Sequence, residues 1–280
     1  MGANLPFELV PREGPLVISI PHLGQHIPAE LRECYSDQAL LLKDTDWHLD
    51  RLYEFAEQLD ATVIAATVSR YVVDLNRPAT GESLYPGMIT TSLCPSETFD
   101  GLPIYQPGRE PDEREIEVRV DAYWRPYHEQ LKAELSRLRA RHPRVLLWEA
   151  HSIASVLPRL FRGKLPDFNF GTSDGESCDD SVVEGALEAV RDSEWSWVLN
   201  GRFKGGFITR RYGNPAAGVH AIQLEICQSL YMNEIAPFAW RQEKASAAIP
   251  TVRVAVEGAL RRVTKEPGAS PRERAAILSG

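Results

Sequence analysis

Short apolar runs alternate with amphipathic segments along this chain of 280 residues, and this alternation restricts the fold more than any other feature. Runs of β-branched and other apolar residues predict strands at residues 16–20, 61–68, 71–75, 144–149, 197–200, 207–210 and 220–226. Apolar residues at helical spacing predict helices at residues 47–59, 112–141, 181–190 and 237–263. The pattern predicts an α/β sandwich of three layers, in which helices cover both faces of a central sheet.

Prolines and a long irregular segment interrupt this pattern. Pro126 is expected to kink or divide the second predicted helix, and Pro250 to interrupt the last one. Residues 80–111 are rich in Gly, Pro, Ser and Thr and have no periodicity, which predicts a long loop. Because ordered loops of this length commonly cover active sites, we expect this loop to lie over a functional site.

Composition narrows the class of protein. Hydrophobic residues make up 43% of the chain and charged residues 25%, as in ordinary globular proteins. We expect one α/β domain over residues 1–264, followed by a polar C-terminal tail over residues 265–280. The four cysteines form no CxxC pair, which disfavours both a zinc ribbon and a disulfide framework.

The charge balance and the hydropathy pattern argue against several partners. A net charge of -8 opposes binding to nucleic acid or to an anionic membrane surface. The sequence lacks an uninterrupted stretch of roughly 18 apolar residues, which a membrane span would need. The first residues also lack a basic region followed by an apolar one. We therefore expect a cytoplasmic protein that binds neither nucleic acid nor membrane.

Polar side chains stand at or near the ends of several predicted strands. They are His22, Asn76, Arg77, His151 and Glu225. A single histidine beside a strand is more often a structural residue than a functional one. Open α/β sheets, however, bind their ligands at the carboxyl ends of the strands. The shared placement of these side chains therefore predicts a functional site at that edge of the sheet.

Some of these residues fit the ligand set of a hydrolytic zinc site. Such a site typically takes three protein ligands from His, Asp and Glu and leaves one position for water. His22, Asp46 and His151 could supply the ligands. In the same DTDWH segment, Asp44 and His48 compete with Asp46, and either aspartate could instead cap the helix that follows. The residues by themselves leave this choice open.

Glu225, in the apolar segment QLEI, is the candidate general base. A buried carboxylate must be matched by a cation, a metal or hydrogen bonds. The alternative to a catalytic role is therefore a structural ion pair. One carboxylate can take a proton from water and later return it to a leaving nitrogen, and in this hypothesis Glu225 makes both transfers.

Four arginines flank predicted strands and could bind substrate carboxylates through paired hydrogen bonds. They are Arg70, Arg77, Arg210 and Arg211. Most arginines are solvated surface charges, which is the alternative for each of the four. Arg77 is favoured because it directly follows the buried VVDLN segment. His220, at the start of the last strand, could orient a substrate or only complete the sheet.

Seven segments of the chain together carry a family resemblance. They are ISIPHLG, DTDWHLDRLY, SRYVVDLNRP, WEAHSI, LPDFNFGTSDGESCD, NGRFKGGFITRRYG and HAIQLEICQSLYM. These segments resemble the N-formylglutamate amidohydrolases, also called N-formylglutamate deformylases, of histidine degradation. The similarity covers most of the chain, and the combination of motifs is highly specific.

The resemblance implies a fold and a metal site. The family looks related to zinc carboxypeptidases and aspartoacylases, which implies a mixed sheet between helices, as in phosphorylase/hydrolase-like folds. It also implies one Zn²⁺ ion, or another divalent transition metal in its place. The implied metal ligands are His22, Asp46 and His151, and Glu225 is the implied general base.

A reaction and a substrate class are implied as well. The expected reaction is zinc-dependent hydrolysis of a small dicarboxylate, N-formyl-L-glutamate, to formate and L-glutamate by metal-activated water. Asn76, Arg77 and one or both of Arg210 and Arg211 would hold the substrate carboxylates. One alternative is a deacylase or carboxypeptidase-like hydrolase for another acylated amino acid. The other is a non-catalytic relative that binds a metal or a carboxylate.

One position departs from the family pattern. Many relatives have aspartate before the Ala-His-Ser of the WEAHSI segment, where this chain has Glu149. If this position orients His151, the longer side chain could shift the ligand slightly. The departure removes none of the predicted ligands.

Overall fold

The computed structural model of the chain describes residues 5–84, 87 and 89–265. Within these residues, seven strands form one sheet. They are β1 (Phe7–Val10), β2 (Leu16–Ile20), β3 (Thr62–Ala66), β4 (Val145–Ile153), β5 (Phe168–Gly171), β6 (Trp197–Leu199) and β7 (Val219–Cys227). Their order across the sheet is β1-β3-β2-β4-β7-β5-β6.

The sheet is mixed, with a parallel centre. Strand β2 pairs in parallel with both β3 and β4, and β4 pairs in parallel with β7. Strand β1 is antiparallel to β3, and β5 is antiparallel to β7. Strands β2 and β4 are buried along their whole length, as expected for parallel strands that are covered on both faces. The predicted mixed sheet is confirmed.

Seven α-helices are described besides these strands. They are α1 (Ala29–Arg32), α2 (Leu49–Leu52), α3 (Glu113–Arg119), α4 (Arg125–Arg139), α5 (Asp180–Arg191), α6 (Phe207–Tyr212) and α7 (Gln242–Thr264). Short 3₁₀ turns lie at Ala39–Leu41, Glu54–Leu59, Ser173–Gly175, Pro215–Ala217 and Gln228–Leu230, and a π-helical turn lies at Val120–Trp124. None of the helices in the described residues is long and apolar enough to cross a membrane.

Helices pack on both faces of the sheet because successive strand residues point in opposite directions. On β2, Leu16, Ile18 and Ile20 join the apolar core that also contains the buried residues of α5 and α7. Val17 joins the core on the other face, together with Leu131 and other buried residues of α4. The predicted three layers are confirmed.

Two predicted strands are wrong. Residues 71–75 form turns although most of their side chains are buried. Their backbone groups form hydrogen bonds with a loop instead of a strand. For example, Asp74 N donates to the Leu93 carbonyl at 2.7 Å. Residues 207–210 lie in helix α6, whose Ile208 N donates to the side chain of Asn76. In both cases a short apolar run does not distinguish an extended segment from another buried conformation.

The predicted helices agree more closely with the structure than the predicted strands do. The helix predicted at 112–141 is divided as expected, because α4 begins directly before Pro126 and follows the π-helical turn. Helix α5 matches its prediction, whereas α7 starts later than predicted and contains Pro250 without a break. The segment at 47–59 forms α2 and a 3₁₀ turn instead of one helix. Strands β1 and β5 were not predicted.

Other predictions concern segments without regular structure. The described residues of 80–111 contain no helix or strand, so the predicted loop is confirmed there. Residues 266–280, nearly all of the predicted tail, lie outside the described residues. The division into one domain and a tail stays a prediction.

Helices α5 and α7 approach each other through two glycines. A Cβ atom added to Gly258 would overlap the carbonyl oxygen of Gly185. Replacing glycine by alanine in a helix usually stabilises it by about 1 kcal/mol. Here we expect the opposite, a loss of about 1–3 kcal/mol in the free energy of unfolding for Gly258→Ala, because the helices must move apart.

Urea denaturation of Gly258→Ala measures this effect. Ala247→Ser, on the exposed side of α7, is the control and should change stability by less than about 0.5 kcal/mol. A Gly258→Ala protein as stable as the wild type, or more stable, would contradict the close packing of the two helices.

Candidate metal centre and active site

The predicted site residues meet at the carboxyl ends of the central parallel strands. His22 follows β2 by two residues, and His151 lies on β4 directly opposite Glu225 on β7. Asp46 lies in the loop before α2, where its backbone N–H bonds to the His22 carbonyl at 3.0 Å. Strands that run in parallel bring their carboxyl ends to one edge, so residues far apart in sequence converge.

His22, Asp46 and His151 form a buried cluster suited to a metal ion. One ligand atom of each lies within 4.8 Å of those of the other two. Asp46 Oδ2 is 3.7 Å from His22 Nδ1 and 3.1 Å from His151 Nδ1. Asp44 and His48 are not part of this cluster, so the structure selects Asp46 from the DTDWH segment.

Two atoms of this cluster show that a cation fits there. In the part of the chain that the structure describes, His22 Nδ1 and Asp46 Oδ1 are buried and have no hydrogen-bond partner. A buried polar atom without a partner destabilises a protein. A divalent cation would satisfy both atoms at once, and imidazole nitrogen with carboxylate oxygen is a donor set that such metals accept.

The far nitrogen of the His22 ring is held by a buried carboxylate. Nε2 lies 2.7 Å from Asp74 Oδ1, and Asp74 Oδ2 accepts a hydrogen bond from Arg70 Nη2 at 2.8 Å. A proton on Nε2 directed at Asp74 leaves the Nδ1 lone pair for a metal. Asp74 is not among the predicted site residues, because the VVDLN segment looks like a buried strand in the sequence.

His151 has a different arrangement. Its Nε2 is hydrogen-bonded to Asn76 Nδ2 at 3.0 Å, and Glu149 Oε1, which has no hydrogen-bond partner among the described residues, lies 3.2 Å from the same atom. Thr209 donates a hydrogen bond to Glu149 Oε2 at 2.9 Å. Burial by itself lowers the pKa of His151, but the carboxylates of Asp46 and Glu149 outweigh this effect and raise the pKa to about 10. The longer side chain at position 149 therefore still reaches the His151 ring.

Glu225 lines a cavity next to the metal cluster. Burial raises its pKa to about 8, because the charged form loses solvation, while the positive charge of His151 acts in the opposite direction. A carboxyl group whose pKa is close to neutral can both accept and return a proton. The position and the pKa of Glu225 thus fit the chemistry of a general base.

The cavity brings together most of the predicted site residues. His22, Asn76, Arg77, His151 and Glu225 line it, together with Thr90, Thr91 and Phe99 from the long loop at 80–111. The expectation that this loop lies over the site is confirmed for these residues.

Comparisons with known proteins identify the family. The sequence model of the N-formylglutamate amidohydrolases matches residues 14–232. The chain belongs to the N-formylglutamate amidohydrolase family. It is 49% identical over 233 residues to N-formylglutamate deformylase of Pseudomonas putida, with 82% of this chain and 86% of that one covered. The Pseudomonas aeruginosa enzyme of the same name is 48% identical over 248 residues, with 88% and 92% covered.

Solved structures share the fold. N-formylglutamate amidohydrolase from Ralstonia eutropha JMP134 gives a TM-score of 0.76 at 27% identity, with 97% of this chain and 99% of that chain covered. A gene product of Agrobacterium tumefaciens gives a TM-score of 0.71 at 19% identity, with 94% and 97% covered. The latter supports the fold alone.

In this member of the N-formylglutamate amidohydrolase family, two predicted substrate-binding residues lie elsewhere. Arg210 and Arg211 are on α6 and do not line the cavity. Arg210 Nε donates to the Gly205 carbonyl at 2.9 Å, and Arg211 is exposed. Residues 207–210 are predicted as a short strand, but they form helix α6, in which Arg210 and Arg211 lie outside the cavity lining. Their role in carboxylate binding lacks support from the structure.

Two other arginines do line the cavity. Arg70, one of the four arginines that flank predicted strands, lies beside Asp74. Arg202 is not among the predicted site residues. Arg202 lies in the NGRFKGG segment, two residues after the short strand predicted at 197–200. That position and the resemblance of this segment to the family are the signals that could have drawn attention to it.

Besides a fraction of a proton from Glu225, whose pKa is raised to about 8, zinc binding at pH 7 is expected to release one proton from His151. The ring holds a proton there because its pKa is raised to about 10, and a metal displaces that proton. Calorimetric titration in buffers of different ionisation enthalpy measures the number released.

Two variants control this measurement. His151→Ala should lose tight binding. His142→Ala should bind like the wild type, because His142 bonds to the Glu13 carbonyl outside the cluster. Tight binding by His151→Ala, or binding by the wild type without proton release, would contradict the assignment.

Proposed function

We propose that this protein hydrolyses N-formyl-L-glutamate to formate and L-glutamate, with a Zn²⁺ ion held by His22, Asp46 and His151. The single observation that carries the proposal is the buried cluster of these three residues beside Glu225 in one cavity. Family membership and the name N-formylglutamate deformylase of both Pseudomonas relatives support the choice of substrate.

The choice of zinc is supported by the donor set. Two imidazole nitrogens and one carboxylate, with a further position left for water, are typical of catalytic zinc sites. The chemistry supplied by such an ion is Lewis acidity, which raises the acidity of water and the electrophilicity of a carbonyl carbon. Asp74 would orient the His22 ring through Nε2, and Asn76 and Glu149 lie beside Nε2 of His151, which leaves Nδ1 of both rings for such an ion.

Glu225 carries the proton transfers. Its carboxylate takes a proton from the attacking water as the water oxygen forms a bond to the formyl carbon. When the carbon–nitrogen bond breaks, Glu225 returns the proton to the leaving nitrogen, so that formate and the amine of glutamate are the products. A carboxyl group whose pKa is raised by burial is suited to both steps.

Arg70 is placed to stabilise negative charge that develops on the formyl oxygen. Its side chain is buried, lines the cavity and is fixed by Asp74 at 2.8 Å. A cation that is already oriented needs no reorganisation when charge appears, and such groups lower the barrier of acyl transfer.

Arg77 is the best-supported partner for a substrate carboxylate. Its guanidinium group donates to the Thr91 carbonyl at 3.0 Å and to Thr91 Oγ1 at 3.1 Å. Trp124 Nε1 donates to the Arg77 backbone carbonyl at 2.9 Å and so helps to fix the backbone of this residue. The neighbouring Asn76 places Nδ2 3.0 Å from His151 Nε2. Arg77 is thus positioned at the cavity wall, close to the metal cluster.

Replacing Glu225 by glutamine tests the proton transfers. We expect Glu225→Gln to bind zinc with the wild-type stoichiometry and to lose a factor of about 100 or more in kcat, since the amide cannot accept a proton. Glu129→Gln, on the exposed face of α4, should retain full activity. Retained turnover in Glu225→Gln would show that another group is the base.

Formate release from N-formyl-L-glutamate tests the reaction itself. We expect release by the purified protein, loss of release after chelation, and recovery when zinc is added back. N-acetyl-L-glutamate serves as the comparison for acyl size. Hydrolysis of the acetyl compound alone would favour a different deacylase. No hydrolysis of either compound by folded, zinc-loaded protein would favour a non-catalytic relative.

A further inference from the structure

Three arginines line the cavity in the part of the chain that the structure describes, and they fall into two groups. Arg70 and Arg77 share the carboxylate of Asp74, whose Oδ2 lies 2.8 Å from Arg70 Nη2 and 4.0 Å from Arg77 Nε. Asp74 therefore offsets part of the positive charge on this side of the cavity. Arg202 forms the second group, with different partners.

Arg202 is oriented by backbone carbonyls of two loops. Its Nε donates to the Leu160 carbonyl at 3.0 Å, and its Nη2 donates to the Ile89 carbonyl at 2.9 Å. These two bonds fix the direction of the guanidinium group. Ile89 and Leu160 themselves line the cavity. An oriented cation therefore stands at the wall that the two loops form.

The stretch from Ile89 to Thr91 relates Arg202 to Arg77. Arg77 donates to the Thr91 carbonyl and Arg202 to the Ile89 carbonyl. Two residues of chain span at most about 7 Å, so the two carbonyl oxygens lie within a short distance of each other. The two carboxyl carbons of glutamate are four carbon–carbon bonds apart, about 5 Å when extended. Both arginines are thus anchored on one short stretch of the cavity wall, whose length is comparable to that of the dicarboxylate.

We propose that Arg202 binds the side-chain carboxylate of the substrate and so determines the preference for glutamate. Arg77, next to Asn76 and the metal ligand His151, then binds the α-carboxylate, which is the one nearer to the scissile amide. The proposal rests on the function proposed above. It assigns to Arg202, which lines the cavity, a role that the sequence suggested for Arg210 or Arg211, which do not.

Substrate preference distinguishes this role from a structural one. If Arg202 only tied the loops at Ile89 and Leu160 together, its loss would reduce the hydrolysis of all substrates alike. A guanidinium group that recognises the side-chain carboxylate acts only on substrates that carry this charge. The quantity to measure is therefore the ratio of kcat/KM for N-formyl-L-glutamate to that for N-formyl-L-glutamine, which has the same shape and no charge.

The test uses the zinc-loaded full-length protein and three variants. Arg202→Gln keeps a donor for the loop carbonyls and removes the charge, and it should lower kcat/KM for N-formyl-L-glutamate on the order of 100-fold. Its kcat/KM for N-formyl-L-glutamine should stay within about threefold of the wild type. The ratio of the two kcat/KM values should therefore fall sharply. Arg202→Lys should recover part of the ratio. Arg211→Ala, at an exposed arginine outside the cavity, should leave it unchanged.

Two outcomes would overturn the proposal. An equal loss on both substrates in Arg202→Gln would reveal a loop-fixing residue without a role in recognition. An unchanged ratio would place recognition of the side chain on another residue. Circular dichroism spectra of all variants verify that each one is folded.

A binding measurement separates this proposal from the proposed function. If the wild type hydrolyses none of these formyl amino acids, the proposed function fails. Calorimetric titration with L-glutamate and L-glutamine then tests whether Arg202 recognises the side-chain carboxylate. The proposal expects the wild type to bind L-glutamate more tightly than L-glutamine, and Arg202→Gln to bind the two alike. No preference in the wild type, or a preference that survives in Arg202→Gln, would contradict it.

Discussion

The buried carboxylate of Asp74 is the interaction on which the rest of the site depends. It is fully buried, and a charge in that position needs strong partners. It contacts His22 Nε2 at 2.7 Å, Arg70 Nη2 at 2.8 Å and the backbone N–H of Asn76 at 2.9 Å. Burial by itself would raise the pKa of Asp74, but the interactions of its carboxylate with His22 and Arg70 hold that pKa well below its usual range. One carboxylate thus orients a metal ligand, a cation of the cavity and the segment that carries Arg77.

Metal binding and the protonation state of the proposed base are linked through two residues on neighbouring strands. His151 and Glu225 lie opposite each other on β4 and β7. The pKa of His151 is raised to about 10 by the carboxylates of Asp46 and Glu149, which outweigh burial, and burial raises the pKa of Glu225 to about 8. A divalent cation favours the neutral imidazole and the charged carboxylate. An ion bound at the cluster would therefore also bring Glu225 into the form that accepts a proton.

The central strands and the residues after them could be predicted from the sequence. Strands β2, β4 and β7 are apolar runs with polar groups near their carboxyl ends, and parallel pairing brings those ends together. Residues 71–75 could not be predicted, because a buried apolar run looks the same whether it is extended or turned. Arg202 could not be found either, since contacts with Ile89 and Leu160, far away in sequence, place it in the cavity.

The central claim is that His22, Asp46 and His151 hold the metal while Glu225 stays outside its ligand set. Anomalous diffraction at the zinc edge, from crystals of the zinc-loaded protein, tests this directly. The account predicts one strong peak bounded by His22 Nδ1, the Asp46 carboxylate and His151 Nδ1, with Glu225 facing it across the cavity without ligating the metal. A peak at other side chains, or direct ligation by Glu225, would contradict the account.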